Sequence, residues 1–571
     1  MPKKKPSTSA SISKRTSTSG QNHREKSSKV AKAPSKTLGI FEAAGFQHIK
    51  SDNIHFLVSQ QMGEIDYVFV WENVILLVEE TTGEDLSKHP PKKIHFHKLI
   101  DQNKNDFFRS FSAACPEFGT YMSGDYQANE MEIRHVYYSE CQLVPSGISF
   151  NPQPFKIMQP SDGAYFEKLT KDIQKSSKYE LLKYLNVKLC DVGQSRISGS
   201  GVTSKSFAGF ALPSKHTNYP DDFVVVTFYA DPASLILRAY VLRRNGWEQP
   251  TLSYQRFVQS EKLTSMREYL SKNGKVFINN LIVTLPSNSI MQDADGQIIS
   301  PSELTQKTSV KLILQDELAS IGIVDGQHRI LSYFEGVDAI DKEIKNIRQR
   351  QNLLVTGIIF PKDYDDERKM KFEAELFLSI NNTQTSVNPE LRQDLEAIIN
   401  PSSPLGMGRT IIHKLAETGA LSGLLHVNQS DSSNLISTGS LGPHVLQQLV
   451  RSTSPLYKEW AKSKSVDLSL EKDRDSFVDY CANELRSMLG AAAGIMEPKW
   501  KPVDIGGILS TAVVGGFMLL LNRLCKVHSY PRDYKKLLSP IKNFDFSKYT
   551  SSNWARMARE IMQKISPNEG S

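Results

Sequence analysis

Residues 321–334, IGIVDGQHRILSYF, allow only one local order of elements. Ile321 to Val324 is a short β-type apolar run. Asp325-Gly326-Gln327-His328-Arg329 interrupts it, and Ile330, Leu331, Tyr333 and Phe334 resume at a spacing that suits a helix. The order is therefore strand, tight polar turn, helix start. A glycine at such a junction lets the backbone approach a ligand closely, and a new helix start offers unpaired N–H groups to an anion. An acid, an amide, a titratable ring and a guanidinium fork stand side by side there. Together they mark residues 325–329 as a candidate anion-binding site.

A chain of 571 residues is too long for a single core. Its 39% hydrophobic and 23% charged residues are those of a folded protein with a solvated surface. The net charge of +7 is unevenly placed: residues 1–38 carry ten Lys/Arg against one acid, Glu25, so the rest of the chain is slightly acidic. This Ser/Thr/Lys-rich tail has almost no apolar content and is expected to be disordered. It can meet nucleic-acid phosphates without sequence preference or simply aid solubility. It lacks the apolar centre of a secretory leader. The run IGGILSTAVVGGFMLLL, residues 505–521, holds four glycines and is short for a membrane span. It predicts a buried core helix capped by Asp504. The five cysteines (Cys115, Cys141, Cys190, Cys481, Cys525) show no paired spacing, which argues against a zinc site and for a reducing compartment. A cytoplasmic protein without a membrane partner is expected.

The pattern divides the chain into a tail (1–38), an α/β segment (39–195), a second mixed segment (203–400) and a helical region (401–571). In the first α/β segment, Ile65, Tyr67, Phe69 and Trp71 alternate, Glu72-Asn73 turns, and Val74 to Val78 is continuously apolar. That predicts a hairpin whose second strand is buried on both faces. Residues 93–113 predict helix and 131–138 another strand. The connector Gly193–Val202 is polar and glycine-rich. Beyond it, strands are expected near 223–229, 235–242, 277–285, 321–324 and 353–360, with helices near 260–272 and 366–380. In the helical region, Trp460, Trp500 and Trp554 suit packing, and the isolated His413 and His426 suit structural roles. Lys535–Lys548 suits a solvated face better than a DNA contact.

Three further pieces accompany 325–329: Tyr254-Gln255-Arg256, Phe277-Ile278-Asn279-Asn280 before LIVTL, and Asn381-Asn382-Thr383-Gln384 at a helix end. Their order resembles the ParB/sulfiredoxin-like superfamily, most closely its DGQHR-domain branch, which includes DndB-type proteins of DNA phosphorothioation systems. The resemblance covers roughly 200–400. It implies a ParB-like α+β domain that grips a nucleoside triphosphate (ATP, GTP or CTP). Gly326, Gln327 and the helix start would then meet phosphate oxygens, and Arg329 would hold a phosphate bidentately. His328 would donate to phosphate or act as acid/base, and Asp325 would hold a metal or orient water. Tyr254, Gln255, Arg256 and Asn381 would complete the pocket. The bland alternative is that Asp325 pairs with Arg329 and His328 is a satisfied core residue.

Gly63-Glu64-Ile65-Asp66, followed after twelve residues by Glu79, resembles the PD-(D/E)XK nuclease core. In that family two acids on adjacent strands bind Mg²⁺, and a lysine two positions beyond the second acid orients water. Here Thr81 stands where that lysine is expected. A lysine from the following helix would restore the set, with Lys98 the nearest candidate beside His95, His97 and Gln102.

The expected fold class is thus α/β multidomain: a nuclease-like domain, a nucleotide-binding domain and a helical C-terminal region. The function the resemblances imply is a DNA-associated, nucleotide-binding and NTP-hydrolysing protein of a bacterial DNA-modification or anti-phage defence system. Two alternatives stay open: a non-enzymatic DNA-binding regulator, and a Mg²⁺-dependent nuclease gated by the nucleotide domain. DNA, a nucleoside triphosphate, other proteins of such a system and further copies of the chain are the expected partners. Asp66, Glu79, Asp325 and His328 are the candidate catalytic residues, and Asp66 and Glu79 the candidate Mg²⁺ ligands.

Overall fold

A run of five apolar residues, Val74 to Val78, too hydrophobic to face water on either side, organises the first part of the molecule. In the computed structural model this run is the central strand of a five-stranded mixed sheet. The structure describes residues 35–81, 89–140, 153–193, 204–241, 258–381, 389–427, 435–462, 466–550 and 552–566.

The segment begins with α1 (Lys36–Ala43), β1 (Gln47–Ile49) and the small hairpin β2 (Phe56–Val58) and β3 (Gln61–Gly63). Then come β4 (Tyr67–Trp71) and β5 (Val74–Thr81). Helices α2 (His89–Gln102), α3 (Lys104–Ala114) and α4 (Pro116–Met122) lead to β6 (Glu132–Ser139) and β7 (Phe155–Met158). Helices α5 (Pro160–Ile173) and α6 (Lys178–Tyr184) close the segment. Sheet order is β1-β4-β5-β6-β7, with β4 antiparallel to β5 and β5, β6 and β7 mutually parallel.

Because side chains alternate along a strand, β5 feeds two cores. Val74, Leu76 and Val78 join the cluster built with α1, α5 and α6. Ile75 and Leu77 join the aromatic cluster of Phe96, Phe107, Phe108 and Phe111 on α2 and α3. The expected hairpin, its buried second strand, the helical stretch and the strand near 131–138 are all present, with the helical stretch divided at Asn103.

A second, eight-stranded mixed sheet follows. Its strands are β8 (Ser204–Leu212), β9 (Val224–Ala230), β10 (Ala239–Tyr240), β11 (Leu281–Leu285), β12 (Ile290–Gln292), β13 (Thr308–Gln315), β14 (Ile321–Asp325) and β15 (Leu353–Ile359). Their spatial order is β10-β14-β11-β15-β9-β8-β13-β12. The strand expected over 235–242 is instead mostly helix α7 (Pro232–Arg238). Asp231 caps it by accepting the Ser234 N–H, and Pro232 occupies the first turn. These local signals outweigh the β-like run Leu235–Leu237. Helices α8 (Ser260–Asn273), α9 (Gln327–Leu331), α10 (Ala339–Arg350) and α11 (Asp366–Asn381) surround this sheet. Val258, Leu263, Leu318, Leu331 and Phe334 pack into the same cluster as α1, α5 and α6, so the two sheet regions share a core.

The remainder is mainly helical, as expected. Helices α12 (Pro389–Ile399), α13 (Pro404–Glu417), α14 (Glu471–Met496), α15 (Thr511–Val527) and α16 (Trp554–Ile565) are its main elements, and the last four enclose one large core. Helix α15 contains the GGFMLLL run and is buried, but its cap is Ser510, which accepts the Val513 N–H. The expected cap, Asp504, lies before it in a short turn, and Ile505 is exposed. A Cβ on Gly516 would lie 2.6 Å from Met557 Sδ, so a larger residue there would have to displace the Met557 side chain of α16. Among the described residues no helix is long and apolar enough to cross a membrane.

Candidate active site

Asp66 and Glu79 face one another because of strand register. Tyr67 pairs with Val78 in the β4–β5 ladder, and one step outward places Asp66 opposite Glu79. Parity then sets direction: Glu79 shares the face of Ile75 and Leu77, beneath α2. A carboxylate at the end of an apolar strand is thereby carried into the core, and Glu79 is fully buried.

Helix α2 supplies the counter-charge. Lys93 Nζ lies 2.6 Å from Glu79 Oε2 and 3.3 Å from Asp66 Oδ1. The second Asp66 oxygen accepts the Glu80 backbone N–H at 3.0 Å. The lysine that lies between the two acids comes from the helix and is Lys93 rather than Lys98. Helical geometry explains the choice: Lys98 lies about 140° around the axis from Lys93, whereas His97 is rotated by only about 40°. His95 points outward and is exposed.

The same face of α2 carries a buried polar chain that sequence reasoning missed. His97 Nε2 is 2.8 Å from Glu79 Oε1, and His97 Nδ1 is 2.7 Å from His135 Nδ1 on β6. His135 Nε2 lies 2.9 Å from Asp101 Oδ1. Lys93, His97 and Asp101 stand at i, i+4 and i+8, and that polar stripe on an otherwise core-facing helix was the available signal. Register supplies His135, which pairs with Leu77, two residues before Glu79.

Burial pushes the Glu79 carboxyl well above its ordinary range; the Asp66 charge adds to this and Lys93 opposes it. For Lys93, burial pulls downward but the attraction of Glu79 and Asp66 outweighs it, so its ammonium is held charged. Burial, then His135 and Lys93, hold His97 well below its usual value, so it is neutral. A neutral His97 has one donor and one acceptor nitrogen, so it donates to one of Glu79 and His135 and accepts from the other.

Among the described residues the ammonium of Lys93, 2.6 Å away, is the one group recorded against Glu79 Oε2. A buried carboxylate oxygen held only by a cation is suited to a metal ion. Asp66 and Glu79 would offer two acidic ligands, and among the described residues no group of three or more His, Cys, Asp or Glu is arranged to hold a metal. Two carboxylates fit Mg²⁺, which commonly takes one or two from protein and fills its remaining positions with water and phosphate oxygens.

The 325–329 turn forms as expected, on β14 and α9. Gly326 has φ +101°, and a Cβ there would stand 2.5 Å from Leu281 Cδ2. The glycine is therefore required by backbone conformation and packing. Asp325 Oδ2 receives Arg329 Nη2 at 2.8 Å, and Arg329 Nη1 donates to the Asn280 carbonyl. His328 Nε2 accepts the Gln259 N–H at 3.2 Å. Asn280 Nδ2 donates to Thr356 Oγ1, while its Oδ1 is buried without a hydrogen-bond partner among the described residues. Gln327 opens α9. Asn381 ends α11, with Nδ2 donating to the Phe377 carbonyl. Tyr254, Gln255, Arg256 and residues 382–384 lie outside the described residues. The structure thus joins Asp325, Arg329 and Asn280, and separately Asp66, Glu79 and Lys93. In the helical region His413 meets Asp394, which also binds the buried Arg409. His426 meets Glu390.

Comparison of the chain with known protein families, curated proteins and solved structures finds no match.

Proposed function

We propose that this protein is a DNA-associated hydrolase that cleaves phosphodiester bonds with Mg²⁺ at Asp66, Glu79 and Lys93. The observation that carries this reading is the single ammonium, Lys93, set between two facing carboxylates, one of them fully buried. Placing an acid in the core costs several kcal/mol unless it is paired, so a purely structural role is an expensive one. Asp66 and Glu79 would hold the metal. A bound Mg²⁺ would polarise the phosphoryl group and make a coordinated water more acidic. Lys93, held charged, cannot accept a proton; it would orient the attacking water and stabilise negative charge developing on phosphate. His97, His135 and Asp101 would fix the Glu79 carboxylate in one orientation. The resemblance to the nuclease core supports this reading, and so does the basic tail, which suits a polyanionic substrate.

The test is cleavage of plasmid DNA by the full chain with Mg²⁺, compared with Asp66→Asn. Asp66 is partly exposed and its amide analogue retains an oxygen for the Glu80 N–H. Cleavage should fall at least about 100-fold in the variant, the scale of losing one principal electrostatic group. Equal cleavage by both proteins would sink the reading.

A second reading, nucleoside-triphosphate binding at 325–329, is favoured by the unpartnered Asn280 Oδ1 beside the Asp325–Arg329 pair. In this reading the nucleotide is the regulator and the Asp66 site performs the hydrolysis, within a DNA-modification or defence system. Calorimetric titration with ATP, GTP and CTP tests it, and no heat with any of them excludes it.

A further inference from the structure

A groove of about 740 Å³ opens in the helical region, far along the chain from both sites discussed so far. His444, Arg451, Lys458, Asn522 and Lys526 are among the residues that line it. Its lining contains three permanent cations and no acid. Arg451, Lys458 and Lys526 are all exposed, and none makes an ion pair among the described residues. The nearby acids Glu459 and Glu484 do not offset them, because both are turned inward onto Arg532. Arg523, next to Asn522 on α15, feels the like charge of Arg559 on α16, so positive charge accumulates beside the groove as well.

Two features suit this groove to a base-bearing anion rather than to a simple one. His444 stacks on Trp554, with ring centroids 6.0 Å apart and planes within 16°. The histidine is exposed and presents a supported aromatic surface in the lining. It is placed there by a widened helical turn, Gly442–Leu446, of the kind that often interrupts helices at functional positions. In addition, Asn522 Oδ1 is buried and has no hydrogen-bond partner among the described residues. A buried amide oxygen left unpaired costs on the order of 1–3 kcal/mol, which a ligand N–H would recover. Cations for phosphates, a ring for stacking and an acceptor for an amino group together form the elements of a nucleic-acid site.

We propose that this groove binds nucleic acid, with Arg451, Lys458 and Lys526 on the phosphodiester backbone and His444 and Asn522 on a base. The proposal is independent of phosphodiester cleavage at Asp66, and its test is done in EDTA so that cleavage does not enter the measurement. The full chain is titrated into labelled 20-nucleotide single- and double-stranded DNA between about 50 and 200 mM salt, and anisotropy is read. The variant R451Q/K458Q/K526Q should bind at least 10-fold more weakly. On duplex DNA its log-affinity against log-salt slope should be shallower by about 2–3, at about 0.9 for each phosphate that is no longer neutralised. The basic tail contributes equally to both proteins and cancels in the comparison. If the triple variant melts at a lower temperature, the single variant K526Q serves, with a slope change of about 0.9. H444A should weaken single-stranded binding more than duplex binding. Unchanged affinity and slope in a folded variant would overturn the proposal. So would the absence of oligonucleotide binding by the wild-type chain, or equal displacement of the DNA by polyglutamate, which would reassign the groove to acidic polypeptides.

Discussion

Replacing Lys93 by Met tests whether the Asp66–Glu79–Lys93 cluster is a coupled charge site, apart from any catalysis. Met keeps the length and apolar stem of lysine but removes the ammonium. Glu79 has no exposed side-chain surface and Lys93 only 14%, so neither charge is well screened by water. Two unit charges about 4 Å apart at an effective dielectric of about 20 attract by roughly 4 kcal/mol. Removing one partner of such a buried pair typically costs about 3–5 kcal/mol, because the other is left uncompensated. Glu79 keeps its His97 bond and can take up a proton, so the lower end, about 3 kcal/mol, is expected at neutral pH. In Glu79→Gln the charge disappears instead, and Lys93 retains Asp66. The double variant K93M/E79Q should therefore be less damaged than the sum of the two single variants, with a coupling energy of about 2–3 kcal/mol.

The pH dependence has a definite sign. The Glu79 pKa in the folded protein is already raised, and losing Lys93 raises it further. A raised acid contributes stability in acid that is lost as pH climbs through its folded pKa. The K93M deficit should therefore be greatest at neutral to alkaline pH and shrink as pH falls and Glu79 is protonated. Hydrogen exchange at amides of Val74–Thr81 and of α2 reads the opening free energy locally, where these residues sit. Additive single variants, with coupling below about 0.5 kcal/mol, or a K93M deficit that grows in acid, would refute the reasoning.

Two other expectations follow from buried and constrained residues. Asp162 is buried, accepting the Gln159 N–H and the Tyr184 hydroxyl, and burial raises its pKa from 3.8 to about 6 despite those bonds. The folded state holds that proton more tightly, so its contribution is complete below about pH 3.8 and lost as pH rises through about 6, roughly 3 kcal/mol in all. Denaturation of Asp162→Asn across pH 4–7 should lack this component, and a wild-type minus variant difference that is flat with pH would contradict it. Gly326→Ala combines a left-handed backbone, about 1–2 kcal/mol, with overpacking against Leu281, about 1–3 kcal/mol. A loss of about 2–4 kcal/mol in thermal or chemical denaturation is expected without any ligand present, and an unchanged stability would show that the glycine serves only ligand approach.

How much of this was legible in the sequence depended on the range of the interactions. The β4–β5 hairpin was readable because its turn and the continuous apolar run Val74–Val78 are local signals, but β4 too is buried on both faces, through Val68, Phe69 and Val70. Strand β13 carries an alternating signal in Val310, Leu312 and Leu314, although the expected strands did not include it. The 235–242 strand failed because a capping aspartate and a proline at the helix start outweighed the side-chain propensity of the residues that follow. The cap of α15 moved to Ser510 for a similar reason, since Ile505 remains in solvent.

By itself the sequence determined which residues must be buried and where the turns fall, and it marked Asp66, Glu79 and the 325–329 turn as unusual. Those properties are local, set by side-chain period, turn chemistry and charge. Only the tertiary structure decided that Lys93 rather than Lys98 meets the two acids, because the choice depends on the angle at which α2 lies over β5. It likewise brought His135 to His97 through parallel strand pairing, and carried the Asn280 carbonyl to Arg329 through the pairing of β11 with β14. Partners distant in sequence are chosen by packing and register, and neither is encoded in the neighbourhood of the residues they unite.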